Sequence, residues 1–429
     1  MWVATVALFL PIRTPRRRIL GLTALALAAL ALLLVTTAPA KPPKHGNGGN
    51  HGGGHGHHGG KGHGNGGKGG KHNDLAADGF RPAKGKILAG VSDTGAGSAY
   101  RNYRDKTGAH PSVMQSFESW GYVPKEAIKR WQESRTRGII SLSTGRCWGC
   151  KPVISSRSIA EGKGDGYLLA LSRALADRKE PTYIRLLPEM NGHWNGYCAF
   201  NANGDPRGKA DSTANFRAAW KRIVLIVRGG KRSKLDRALS KLGQPKVQGK
   251  TKAKLPQPKV AFGWVPQSAG SPNVPGNQPA DYFPGYEYVD WVGGDIYSKF
   301  PNFGGLESLY DKYSKRPFMI GEWAPWGRDD PGFVKKLFGW AKRHDRVEML
   351  VYYQGFGQGA VNEFEVTDYP KALKALRKQL AKPIFPRFTP ENEKRKGNGG
   401  GGGKGYGHGH GHGHGHGGGG KGHGGKKGG

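Results

Sequence analysis

The chain has 429 residues, with 67 Lys plus Arg against 31 Asp plus Glu and a formal net charge of +36. Three cysteines exclude a small disulfide-stapled scaffold, and 11 Trp, 16 Tyr and 16 Phe exclude a wholly disordered chain. A polycation of this size first suggests nucleic acid or another anionic polymer as partner, so the charge is either the function or a coat around it.

Residues 1–40 read as an export signal. Arg13, Arg16, Arg17 and Arg18 form a positive front, Ile19 to Val35 is an uncharged apolar run, and Ala38-Pro39-Ala40 offers small residues for cleavage. The competing reading is an uncleaved anchor, since the run approaches the roughly 17-residue minimum for a span. The small-residue ending favours cleavage. The expectation is a secreted, extracellular protein with no membrane span after processing. Residues 41–74 are almost wholly Gly, His, Lys and Asn, and 391–429 repeat that composition. All 16 histidines except His110, His193 and His344 lie in these two segments. Chains this rich in glycine and this poor in apolar residues have no core to form, which predicts disordered Gly/His/Lys-rich tails over 41–74 and 389–429. Their Gly-His alternation suits weak divalent-metal binding, without a defined site; otherwise they are flexible basic tethers.

Residues 75–388 carry the hydrophobic periodicity. Eight short apolar runs read as buried strands: 87–92, 113–120, 138–144, 182–191, 259–267, 289–297, 318–323 and 349–354. Helical patterns lie between them over 161–177, 213–228 and from Pro331 onward, where Asp329 and Asp330 precede the positive end of the helix. Trp131, Trp220 and Trp340 fall on helical patterns and are assigned to packing. Eight strands with helical crossovers predict an α/β fold, a (β/α)8 TIM barrel, with a doubly wound sheet as the alternative.

A barrel places chemistry at the C-terminal ends of its strands. The fourth run ends in Pro188-Glu189-Met190-Asn191-Gly192, the fifth in Trp264-Val265-Pro266-Gln267, the sixth in Asp295-Ile296-Tyr297 and the seventh in Gly321-Glu322-Trp323. A carboxylate at a buried strand end is costly unless hydrogen-bonded or functional. Glu189 and Glu322, on opposite sides of the mouth, can face one another across a ligand, as glycoside hydrolysis requires. Alternatively, each pairs with a structural arginine such as Arg185. Trp194, Trp264, Tyr297, Trp323, Trp326 and Tyr353, with Trp120, Trp148, Tyr197 and Tyr352, are candidates for an aromatic floor under a sugar.

The segment Arg185-Leu186-Leu187-Pro188-Glu189-Met190-Asn191-Gly192-His193-Trp194 resembles the R-x-x-H-E-M-N-G-x-W motif of glycoside hydrolase family 26, the β-mannanase family of clan A. Further segments resemble that family in order. They are Ile159–Asp165, Phe216–Arg222, Trp264-x-Pro266-Gln267, Tyr288–Tyr297 and Ile320-Gly321-Glu322-Trp323, within a span of about 85–381. The resemblance implies Glu189 as general acid/base and Glu322 as nucleophile of a retaining enzyme. Tyr297 would hold Glu322, and Trp264 would line the subsite of cleavage. Arg185, Asn191, Trp194, Asp295, Trp323 and Tyr353 are further substrate-binding candidates, and His193 beside the motif is either a substrate contact or a loop residue; the resemblance requires no metal and no cofactor. The chain departs from the family at Pro188, where the family has His, and at Gln267, where it has Asn.

Smaller signals complete the reading. Cys198 and the Cys147-x-x-Cys150 pair fall in neighbouring barrel loops, so one disulfide is expected from Cys198 to Cys147 or Cys150. Gly95-Ala96-Gly97 lacks the rest of a phosphate loop and reads as a turn. The basic run from Arg228 to Lys259 is expected as a connection at the bottom of the barrel, either plainly solvated or a docking surface for an anionic polymer. Three functions compete. The first is a secreted hydrolase of β-1,4-linked polysaccharide, mannan before glucan or xylan. The second, suggested by Pro188, is a weak or inactive barrel that binds carbohydrate or cell wall. The third is a polyanion binder. A monomer is expected, with a β-linked polysaccharide as substrate, anionic cell-wall polymers as possible partners and no specific nucleic acid.

Overall fold

The computed structural model describes residues 79–93, 98–146, 149–249, 251–355 and 364–394. The export signal, the Gly/His/Lys segments, Cys147, Trp148 and the Gly95-Ala96-Gly97 turn lie outside these residues. Among the described residues no helix is long and apolar enough to cross a membrane.

Eight parallel strands close into one barrel in strict sequence order, each paired with its chain neighbours and the last with the first. They are β1 (Leu88–Asp93), β2 (Val113–Ser119), β3 (Arg137–Ser143), β4 (Thr182–Leu186), β5 (Val260–Trp264), β6 (Trp291–Tyr297), β7 (Phe318–Ala324) and β8 (Val347–Tyr352). The predicted TIM barrel is therefore present, and the doubly wound alternative is excluded by closure.

Side chains alternate across each strand and divide the core in two. Leu88, Val113, Ile139, Tyr183, Ala261, Trp291, Met319 and Met349 fill the barrel interior. Residues of the other parity pack against the helices. Trp131, Trp220 and Trp340 are buried in that outer layer, as their helical spacing predicts. The helix Thr213–Arg228 has the predicted bounds, capped by Ser212, whose side chain accepts from Asn215 N. The helix predicted over 161–177 is Asp165–Arg178, preceded by the short turn Ser156–Ala160. Asp330 caps Pro331–Arg343 by accepting from Phe333 N at 2.8 Å.

The basic run is not a plain loop. Arg232–Lys241 forms a helix that buries Leu235 and Leu239, and Gly230–Lys231 pairs with Lys254–Leu255 as a short antiparallel ribbon. Order also continues past residue 388. The helix Pro390–Lys394 returns to the N-terminal end of the barrel, where Glu391 pairs with Arg137 at 2.8 Å.

The cysteine expectation is corrected. Cys198 is a buried free thiol, and Cys150 is disulfide-bonded. Strand adjacency had suggested that the loops after β3 and β4 would be bridged. The loop after β4 instead turns towards the segment after β5. There the Cys198 sulfur lies 3.6 Å from Asn277 Oδ1 and from the Tyr282 hydroxyl.

Candidate active site

Four strand ends build a buried cluster at the C-terminal mouth. Arg185, on β4, points inward beside Ser141 of β3, to which Nη1 donates at 3.2 Å. Its Nη1 also pairs with Glu322 Oε1 and its Nη2 with Asp295 Oδ2. Neither carboxylate side chain is more than 10% exposed. Gly321 makes room for the guanidinium, since a Cβ there would lie 2.8 Å from Arg185 Nε and 2.9 Å from Asp295 Oδ1.

Glu322 reaches the interior through a break in strand alternation. Met319 faces inward, so strict parity would send Glu322 to the helix layer. Against β6, Gly294 pairs with Ile320 and Ile296 with Trp323; against β8, Leu350 pairs with Ile320 and Tyr352 with Trp323. One extra residue is thus accommodated on β7, and this bulge turns both Gly321 and Glu322 inward. The Tyr297 hydroxyl donates to Glu322 Oε2 at 2.8 Å, and Gln115 Nε2 on β2 donates to Oε1 at 3.4 Å. Burial, and then the Glu322 charge, raise Tyr297 well above the ordinary tyrosine range, which keeps it a donor.

Glu189 arrives by a different route. β4 stops at Leu186, five residues before the predicted end. Leu187 and Glu189 both adopt positive φ, at 42° and 50°, flanking a proline that has no N–H for a ladder. Glu189 N still donates to Val265 O at 2.8 Å, which fixes this turn against the end of β5. Trp194 Nε1 donates to Glu189 Oε2 at 2.9 Å, and Gln267 Nε2 donates to Oε1. Asn191 is fully buried and exchanges two bonds with the Gln267 backbone, at 3.0 and 2.9 Å. It therefore positions Gln267 instead of facing a ligand.

One oxygen from each of Glu189, Asp295 and Glu322 lies within 4.8 Å of the others. Three carboxyls thus crowd around one guanidinium, which pairs with two of them. Burial first, then the Glu322 charge, push Glu189 above its usual range. Asp295 is pushed well above it by burial, although Arg185 opposes the shift. Asp295 Oδ1 is buried and makes no hydrogen bond, the setting in which a carboxyl favours its neutral form. A metal ion here would have to compete with Arg185 for two of the three carboxylates.

The predicted aromatic floor divides by strand parity. Tyr353 sits beside Tyr297, with ring centroids 6.3 Å apart, and burial first, then the Glu322 and Glu189 charges, push its hydroxyl above the ordinary tyrosine range. Trp326 packs edge-on to Tyr297 at 5.6 Å, and half-exposed Phe117 approaches Tyr353 at 5.6 Å. Trp264 and Trp323 do not join this group. Both are fully buried in the outer layer, Trp264 against Phe283 and Tyr313, Trp323 against Phe338 and Tyr352. His193 is tied to the Ser271 carbonyl through its backbone at 2.7 Å and its ring at 3.2 Å. Gln115 is not among the residues singled out from the sequence, whereas Gln267 stands there both at a strand end and as a departure from the family motif. Gln115 shares the inward parity of Val113, which is the signal that finds it.

No family profile matches the sequence, and no curated protein matches it. Several solved structures are similar to it. One is GH26A from a Muricauda species, at 16% identity over 70% of this chain and 91% of that one, with a TM-score of 0.44. Another is a GH26 β-mannanase from Bacteroides ovatus, at 15% identity over 70% of this chain and 90% of that one, with a TM-score of 0.46. A third is a modular endo-β-1,4-mannanase from Cellulomonas fimi, at 15% identity over 73% of this chain and 74% of that one, with a TM-score of 0.45.

Proposed function

We propose that this protein is a secreted retaining glycoside hydrolase of family 26 type, acting on β-1,4-linked polysaccharide, with mannan first among its substrates. The observation that carries this reading is the convergence of Glu189 and Glu322 at the barrel mouth, with one oxygen from each within 4.8 Å of the other. Retaining enzymes hold their two carboxyls about 5–5.5 Å apart, and inverting enzymes leave room for a water at about 6.5–9.5 Å.

In this mechanism Glu322 attacks the anomeric carbon while Glu189 protonates the departing glycosidic oxygen. Arg185 and Tyr297 orient Glu322, and Trp194 and Gln267 orient Glu189. Burial and the Glu322 charge favour the protonated form of Glu189 that the first step needs. Once Glu322 is esterified by the sugar, its charge is gone and that part of the shift is relieved. Glu189 can then accept a proton from the water that attacks the anomeric carbon, releasing product with its original configuration. Asp295 serves beside them by holding the second arm of the Arg185 guanidinium. Tyr353 and Trp326 supply apolar surface for sugar C–H faces at the mouth.

The test is reducing-sugar release from mannan, mixed-linkage glucan and xylan by the purified mature protein. Release from mannan in preference to the others supports the reading, and no release from any of them overturns it. Glu189→Ala distinguishes the role of the acid. Its loss of rate should be about 10²–10⁴-fold on polysaccharide and far smaller on an aryl glycoside, whose leaving group needs no proton. Glycan binding without turnover by the wild type would instead favour a carbohydrate-binding barrel.

A further inference from the structure

A groove of about 1040 Å³ lies on the flank of the barrel, and none of its lining residues belongs to the Glu189, Asp295 and Glu322 cluster. One wall is the helix Asp165–Arg178 with the turn before it; the other is formed by the returning residues 248–249 and 251–256. That segment is anchored at both ends. Gln248 N donates to Asp165 Oδ2 at 2.7 Å, and Leu255 pairs with Gly230 in the short ribbon. The groove therefore follows the helix axis from its first turn towards its last, and Gly166 to Arg173 alone spans roughly 10 Å.

The lining is cationic over an apolar floor. Arg173, Lys252 and Lys254 are exposed along it, and none of the three makes an ion pair among the described residues. Glu161 is the one acid in the lining and is already paired with Arg157 and Lys163. Leu169, Leu255 and Pro256 supply apolar surface between the charges, and Gln248 and Thr251 supply polar groups. No aromatic ring lines the groove. Single-stranded nucleic acid is gripped largely by stacking bases on such rings, so its main anchor is missing here. A uronic-acid polymer has the complementary pattern of regularly spaced carboxylates, C–H faces and hydroxyls.

We propose that this groove is a docking site for a linear carboxylated polysaccharide, separate from the catalytic mouth and independent of what that mouth cleaves. The basic run between Arg228 and Lys259 contributes through Lys252 and Lys254. Its other cations are partly spent within the fold, as Arg228 pairs with Asp290 and Arg232 with Asp236.

The experiment measures anisotropy of a labelled oligogalacturonate with the full mature chain, basic tails included. The triple variant R173E/K252E/K254E should weaken binding at least about tenfold and leave mannan hydrolysis unchanged. The variant K312E/K335E/K374E makes the same charge change on helices elsewhere on the surface and should weaken binding by less than about threefold. R173Q/K252Q/K254Q, checked for an unchanged Tm, should also lose binding, which separates lost contacts from introduced repulsion or misfolding. Equal loss in the groove and control variants would overturn the proposal in favour of diffuse attraction. So would tighter binding of duplex DNA than of oligogalacturonate, lost through the same groove substitutions.

Discussion

The two ends of the barrel treat buried charge in opposite ways. At the N-terminal end Arg137 meets one carboxylate, Glu391, through two bonds of 2.8 Å, and its Nη1 donates to Phe80 O at 2.6 Å and to the Tyr183 hydroxyl. Trp291 Nε1 donates to Gly79 O at 2.6 Å, so the entering and leaving segments close this end together. Burial alone would raise Glu391, but its bonds and attraction to Arg137 outweigh burial and hold it below the usual range. At the C-terminal end Arg185 faces Asp295 and Glu322 directly, with Glu189 beside them. There burial wins, and Glu189 and Asp295 rise. Matched charge serves stability, whereas an excess of carboxyl groups around one guanidinium favours their neutral forms, which is what the proposed role of Glu189 needs.

Substitutions at each end should separate these roles. The largest effect is expected from Glu322→Ala, which should lower kcat on the order of 10⁴-fold while the protein stays folded by circular dichroism. Undiminished turnover would remove Glu322 from the mechanism. Arg137→Met at the other end should lower unfolding free energy by about 3 kcal/mol, since it strands a partly buried carboxylate, and should leave kcat unchanged. Denaturant titration and steady-state kinetics together check it. Tyr297→Phe removes one donor from Glu322 and should lower kcat about 10–100-fold, the range expected for a hydrogen bond to a charged group.

The smallest effects are in stability against pH, and they carry opposite signs. Glu391 is depressed in the fold, so its contribution is present above the ordinary carboxylate range and is lost as pH falls through the folded value. Glu391→Gln should therefore lower Tm at pH 7 and matter less in acid. Glu189 is raised, so its contribution is full below the ordinary range and is lost as pH rises through the folded value. Glu189→Gln should raise Tm at pH 7, and the gain should shrink as pH falls. The same direction of change for both variants would erase the contrast between the two ends.

Most of the barrel is readable from the chain because buried parallel strands leave short apolar runs, and all eight fall where those runs do. The site is readable in outline for a different reason, namely that polar and aromatic residues collect at strand ends. What the sequence hides is local backbone geometry. No propensity places Leu187 and Glu189 at positive φ, so the apolar run alone extends β4 five residues past its end at Leu186. The bulge on β7 reverses the parity that would send Glu322 outward. Trp323, just past that bulge, and Trp264, on regular β5, were visible as aromatics near the mouth, yet both face the helices. The pairing of Arg185 with Glu322 was anticipated only as a structural alternative. Here it belongs to the same cluster as the proposed chemistry.

The most direct measurement is the anomeric configuration of the first-formed product, followed by proton NMR before mutarotation sets in. Two carboxyls at the spacing of Glu189 and Glu322 predict that a β-linked substrate gives the β-anomer first. The α-anomer appearing first would contradict a nucleophilic Glu322 and the account built on it.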